Sequence, residues 1–161
     1  MTQPLRRIAG SALSVTVVAI ASGLTAAPAQ AAPYYAYKNE HSRTCLTGGK
    51  TGTVFVSSCN GSWYQQWTWA GGDEQGYYRL KNRATGECLM TDYKSQVNAV
   101  WTSRCSTDND VRGQLWRTPG YIINRDLISL LRTSPTAGAV YSDKSDSSFD
   151  WSYYEWHSTT P

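Results

Sequence analysis

The sequence predicts an all-β domain made of three repeats of about 40 residues, closed into a three-fold β-structure. Three observations carry this. Two segments 43 residues apart read alike, and a third, weaker copy follows them. After residue 31 no stretch shows a convincing helical period, whereas short β-rich runs alternate with turns of Gly, Asn, Asp and Ser. Aromatic residues are abundant (7 Trp, 11 Tyr and 2 Phe, all after residue 31) and charged residues make up only 17% of the chain, a composition that favours a packed core over disorder.

Residues 1–31 read as a secretory signal peptide: Arg6 and Arg7, then a mostly apolar run from Ala12 to Leu24, then Ala29-Gln30-Ala31 as the cleavage motif. The apolar run is too short to span a bilayer, and no mature membrane span is expected. The remaining residues, 32–161, are enough for one domain with a real core. Without the leader's two arginines, 13 basic residues face 12 acidic ones, so no nucleic-acid footprint is indicated. Export places the protein outside the cell, where an even number of cysteines reads as disulfides.

The first copy starts at Tyr35 and runs through Lys38, Asn39, Cys45 and Leu46; the second matches it at Tyr78, Lys81, Asn82, Cys88 and Leu89. Each continues to a short apolar run ending in a second cysteine, Val54 to Cys59 and Val100 to Cys105. Each then reaches a Gln-x-Trp, at Gln65 to Trp67 and Gln114 to Trp116. The third copy has Ile122-Ile123-Asn124, Leu130-Leu131, Val140 to Ser145 and Tyr154-Glu155-Trp156 at the matching places. It has lost both cysteines together, with Leu130 for one and Ser145 for the other. Spacing alone allows three pairings, but joint loss is what a bond inside each repeat would produce, which predicts Cys45–Cys59 and Cys88–Cys105. Closing loops of about 15 residues contributes roughly 3 kcal/mol each in the chain-entropy description. Three propeller blades do not normally close a propeller. Three units of about four short strands fit a three-fold closed structure, with Trp67, Trp116 and Trp156 filling equivalent core positions and no free sheet edges.

At these residues the chain resembles the ricin B-type lectin family, the β-trefoil carbohydrate-binding modules. The run Cys59-Asn60-Gly61-Ser62-Trp63-Tyr64-Gln65-Gln66-Trp67 looks very like the family's segment from second cysteine to Gln-x-Trp. The resemblance implies a β-trefoil over residues 32–161, with repeats at about 34–72, 77–119 and 120–158, and up to three shallow sugar pockets. In a working pocket of that family an Asp follows Cys-Leu, an aromatic ring stands two residues before the second Cys, and an Asn precedes Gln-x-Trp. Sugars offer fixed hydroxyls and an apolar C–H face, so a carboxylate, an amide and a ring together suit them. Here those positions hold Thr47, Ser57 and Tyr64 in the first repeat, Met90, Ser103 and Gly113 in the second, and Arg132, Asp143 and Tyr153 in the third. No repeat keeps the full set. Gln65 and Gln114, with the three motif tryptophans, are expected to serve the core.

Other rings can substitute. Phe55, Trp101 and Tyr141 each stand four residues before the second Cys position, on the same strand face as the lost ring. The second repeat is the expected ligand site: Asp92, Tyr93 and Trp101, with Ser103 beside them, could converge there. No metal, cofactor or catalytic group is expected. His41 and His157 lack metal-binding spacing and read as surface residues, and Asp108, Asp110, Asp143 and Asp146 read as solvated turns. Two functions fit: a secreted non-catalytic module for a polysaccharide or cell-surface glycan, or a secreted trefoil that binds a protein, such as an inhibitor or a toxin or adhesin subunit, and has lost sugar binding. The first, which is the expected function, rests on the resemblance and on exposed aromatics; the second, the alternative, rests on the eroded sugar positions and the surplus Trp and Tyr.

Overall fold

In the computed structural model, which describes residues 33–126, 128–144 and 148–161, the repeat becomes a cycle of four short strands and one 3-10 turn. The leader lies outside the described residues. The first repeat gives β1 (Ala36–Asn39), β2 (Cys45–Gly48), β3 (Val54–Ser57) and β4 (Trp67–Gly72); the second gives β5 (Tyr78–Asn82), β6 (Cys88–Thr91), β7 (Val97–Ser103) and β8 (Trp116–Arg117). The third gives β9 (Ile123–Asn124), β10 (Leu130–Thr133), β11 (Val140–Asp143) and β12 (Trp156–Thr159). The 3-10 turns, Trp63–Gln65, Arg112–Gln114 and Trp151–Tyr153, each precede the last strand of a repeat. Among the described residues there is no other helix, and none is long and apolar enough to cross a membrane.

The first and last strands of each repeat build a barrel. β4 pairs with β5, β8 with β9 and β12 with β1, so every repeat is stitched to the next. Within each repeat the ends are joined by one backbone bridge, Tyr35 to Trp67, Tyr78 to Trp116 and Tyr121 to Glu155. The ring of pairings thus closes, which removes barrel edges. The middle strands form the hairpins β2–β3, β6–β7 and β10–β11, which cap the barrel. The caps interlock: β7 pairs with β11, Thr53 bridges Trp101, and the Val56 N–H donates to Gly138 O.

The core repeats with the same three-fold period. Leu46, Leu89 and Leu131 are fully buried in one cluster with Trp67, Trp116 and Trp156. Val56, Val100 and Val140 complete it, though from different register positions: Val56 pairs with Leu46, whereas Val100 and Val140 pair with Thr91 and Thr133. A buried indole needs a partner for its N–H. Each donates to the carbonyl of its own repeat's leucine, Trp67 to Leu46 at 3.0 Å, Trp116 to Leu89 at 2.9 Å and Trp156 to Leu131 at 2.9 Å. The asparagines that mark each repeat's start are buried too, and they satisfy the carbonyls of the preceding 3-10 turn. Asn82 Nδ2 reaches Tyr64 O at 2.8 Å, Asn124 Nδ2 reaches Gly113 O at 3.1 Å, and Asn39 Nδ2 reaches Tyr153 O at 2.8 Å. That last bond ties the first repeat to the third. Both expected disulfides form, Cys45–Cys59 and Cys88–Cys105, and no free cysteine is present.

Candidate functional site

Each hairpin cap and its following 3-10 turn bound one equivalent place, open in the first repeat and filled in the other two. The strand register sets its walls. The residue after Leu in the first hairpin strand stands directly opposite the residue four before the second Cys position: Thr47 opposite Phe55, Met90 opposite Trp101, and Arg132 opposite Tyr141. A ring at that second place therefore faces the position where the resemblance puts the sugar-binding Asp.

In the first repeat the hollow is open. It has a volume of about 310 Å³ and is lined by Thr47, Lys50, Phe55, Ser57, Asn60 and Tyr64, among others. Thr47 is its buried floor, Phe55 stays 37% exposed, Tyr64 is half-buried and Lys50 is exposed. The Gln65 amide holds the floor in place: Nε2 donates to Ser57 Oγ at 3.0 Å and to Ser58 O at 2.9 Å, with Thr47 Oγ1 at 3.3 Å, while Oε1 accepts from the Asn60 N–H. Gln65 is thus structural, and the hydroxyls of Thr47 and Ser57 form the polar floor. No carboxylate lines this hollow. It combines two rings, the aliphatic hydroxyls of Thr47, Ser57 and Ser62, the Asn60 amide and one ammonium.

The second repeat is filled by its own side chain. Gly113 takes the place of Tyr64, and a Cβ there would lie 2.2 Å from Thr91 O, so only glycine fits. The Met90 methyl lies 3.6 Å from that same point, and Ser103 Oγ donates to Met90 Sδ at 3.4 Å and accepts from Gln114 Nε2 at 2.8 Å. Trp101 is half-buried and lines a separate hollow of about 340 Å³ with Thr51, Gly52 and Thr53 of the first repeat. Asp92 faces Lys94 across 3.6 Å, and Tyr93 is 54% exposed. Among the described contacts, no hydrogen bond, ion pair or ring contact joins Asp92 or Tyr93 to Trp101. The structure brings Ser103 to Met90 and Gln114, and Trp101 to Thr53.

The third repeat is closed by charge. Arg132 stands where the first repeat has Thr47, and Asp143 stands where it has Ser57. Their side chains form a buried ion pair, with Arg132 Nη1 also donating to Thr133 O. The guanidinium lies over the rings of Phe149 at 4.7 Å and Tyr141 at 5.5 Å. Tyr153, the counterpart of Tyr64, stacks on His41 at 3.6 Å. Asp150 caps this 3-10 turn, and the bond it accepts from the Ser152 N–H holds its carboxyl below the ordinary Asp range. Asp143 is therefore not a solvated turn residue, as its sequence neighbourhood suggested: the strand pairing turns it inward, where Arg132 compensates its charge. His41 and His157 are exposed, as expected.

What the sequence reading missed is that the open hollow belongs to the first repeat. Tyr64, directly before Gln-x-Trp, and Lys50, in the β2–β3 turn, were the available signals; Gly113 at the matching place in the second repeat was the opposite signal.

Comparison with known proteins agrees with this geometry. The family model described as ricin-type beta-trefoil lectin domain-like matches residues 63–127, from the first 3-10 turn to the start of the third repeat. No curated protein sequence matches the chain. Among solved structures it is similar to ThreeFoil, a designed three-fold symmetric protein, at 23% identity and a TM-score of 0.66, over 80% of this chain and 99% of that one. It is similar to an exo-beta-1,3-galactanase from Clostridium thermocellum at 20% identity and a TM-score of 0.67, over 80% of this chain but only 30% of the galactanase. It is also similar to SeviL, solved bound to asialo-GM1 saccharide, at 14% identity and a TM-score of 0.60, over 80% of this chain and 98% of SeviL. At such identities these likenesses speak for fold. They show that the chain folds as a β-trefoil, and the family model matches the middle of that fold, residues 63–127.

Proposed function

We propose that the protein is an exported, non-catalytic carbohydrate-binding module that engages a polysaccharide or cell-surface glycan through its first-repeat hollow. One observation carries this reading: that hollow alone of the three equivalent places keeps rings and polar groups together and unfilled, with Phe55 opposite Thr47 and Tyr64 at the rim. A pyranose would lay its C–H face on Phe55 or Tyr64 and direct hydroxyls to Thr47, Ser57 and Lys50. The second-repeat residues Asp92, Trp101 and Ser103, half-buried, with the exposed Tyr93, are a second candidate surface for the same chain. Export is supported by the leader pattern and by two disulfides, which persist in oxidising compartments.

The test is a glycan and polysaccharide binding screen of the protein beside its Phe55→Ala and Tyr64→Ala variants. The expected result is at least one saturable glycan ligand whose affinity falls roughly ten- to a hundredfold in Phe55→Ala, the scale of a lost stacking ring. No glycan ligand at all, with capture of a protein from the native secretion, would overturn the reading in favour of a protein-binding trefoil.

A further inference from the structure

A separate hollow lies away from all three hairpin caps, between the barrel strands β4, β5 and β8. Its volume is about 400 Å³, within the range of small-ligand sites, and its walls are Trp69, Gly71, Gly76, Tyr78, Arg117 and Thr118. None of these residues belongs to the cap positions compared above. Its construction comes from a local irregularity. The β4–β5 pairing runs in register from Trp67 to Ala70 and then shifts between Ala70 and Gly72. Gly71, with φ of 33°, is the residue at this bulge, and bulges of this kind re-aim neighbouring side chains. Gly76, at φ of 81°, has open space where a side chain would stand, so the hairpin that rims the hollow does not cover it.

Two rings line the hollow beside this bulge. Tyr78 is 46% exposed, and Trp69 is half-buried and held edge-to-face on Tyr37, 6.3 Å between centroids. Arg117 is exposed, but its guanidinium is fixed in place over the Tyr77 ring at 4.7 Å. Among the described residues Arg117 has no ion-pair partner. Asp73, on the same hairpin, is 2.9 Å from Arg125, close enough for an ion pair although the angle is not that of a hydrogen bond. A guanidinium stacked on a ring keeps its edge N–H donors for a planar oxyanion, which it binds in bidentate fashion. Rings for an apolar face, beside a prepositioned and unpaired fork for a carboxylate, describe an acidic sugar.

We propose that this hollow is a second saccharide site, selective for a uronic acid residue, with Tyr78 and Trp69 under the pyranose C–H face and Arg117 on its carboxylate. The proposal rests on the glycan-binding reading above but uses none of the same residues. The test is NMR titration of the protein with oligomers of galacturonate, of mannuronate and of hyaluronan, each beside the same oligomer with its carboxyls reduced to alcohols. At least one acidic oligomer should bind saturably at millimolar concentration or below, shifting the Trp69 indole N–H and the Tyr78 amide, and its reduced form should bind roughly tenfold more weakly. Tyr78→Ala should weaken binding roughly tenfold or more. Arg117→Gln should abolish the preference for the acidic form. Thr118→Glu, a change at an exposed loop residue, should abolish it too, and it keeps the test decisive if Tyr78→Ala unfolds. Phe55→Ala should leave these shifts unchanged, which separates this site from the first-repeat hollow. The proposal is overturned if no acidic oligomer binds, if acidic and reduced forms bind alike, or if binding shifts only residues around Phe55 and Tyr64.

Discussion

The first and third repeats place the same backbone around the same hollow and fill it oppositely. In the first, Thr47 and Ser57 leave a shallow polar floor open to solvent beneath Phe55. In the third, Arg132 and Asp143 occupy those two positions, neutralise each other and are roofed by Tyr141 and Phe149. The second repeat takes a middle course, with Met90 lying toward the glycine that replaces the pocket tyrosine. Two side chains per repeat thus decide whether a trefoil pocket meets a ligand or becomes part of the core. The barrel beneath is indifferent to that choice, because the buried Leu and Trp are the same in all three.

The largest expected effect lies in what the repeats share. Trp67→Ala and Trp116→Ala each remove a fully buried indole and its bond to a leucine carbonyl, and should cost about 3–5 kcal/mol in denaturant titrations. An unchanged midpoint with lost glycan binding would reverse the assignment of Gln-x-Trp to structure. Arg132→Ala should cost about as much, roughly 3–5 kcal/mol, because it strands Asp143 uncompensated in the interior, while the double change Arg132→Met with Asp143→Leu should recover most of it. Thr47→Ala, at the matching place in the first repeat, removes hydroxyl hydrogen bonds and one methyl but strands no charge, and should cost about 1–2 kcal/mol. If Arg132→Ala were equally mild, the two pockets would not differ in the way described.

Transplanting the third repeat's pair into the first, as Thr47→Arg with Ser57→Asp, sharpens the comparison. It should abolish glycan binding at the first-repeat hollow while the folded protein persists, as read by calorimetry and by melting curves. Phe55→Ala alone should weaken glycan binding by about 1–3 kcal/mol with little change in melting temperature, since Phe55 is a rim ring. The smallest effects are expected in the second repeat. Trp101→Ala and Asp92→Asn should leave stability nearly unchanged, and any loss of glycan affinity in them would identify a second binding surface that the first-repeat variants do not touch.

Much of the fold was legible in the sequence because it is periodic. A 43-residue shift aligns Tyr35, Asn39, Cys45 and Leu46 with their partners in the second copy, and the Asn and Leu do the same job in all three copies, the Cys in the first two. Asn39, Asn82 and Asn124 satisfy the carbonyls of the preceding 3-10 turn, and the motif tryptophans donate to the leucine carbonyls. Joint loss of two cysteines in the third copy was enough to assign both disulfides. The strand period also gave Phe55, Trp101 and Tyr141 equivalent places, and in the register each stands opposite the residue after Leu, although Trp101 lines a hollow of its own with Thr53.

The state of each pocket was decided by the tertiary structure, because it depends on contacts between residues that no local pattern links. Arg132 and Asp143 are unremarkable charges in sequence; only the β10–β11 pairing turns both inward, and only the chain beyond β11 brings Phe149 over them. Met90 is a generic apolar residue until Gly113, 23 residues on, leaves room for its methyl. The bulge at Gly71, beside the hollow that Tyr78 and Trp69 line, is a register shift between strands of two repeats, and Arg117 reaches that hollow from the far end of the second repeat. Periodicity specifies backbone and core, where every copy solves the same packing problem. Pocket chemistry is set by departures from the period, whose consequence appears only when the barrel has closed and brought the strands side by side.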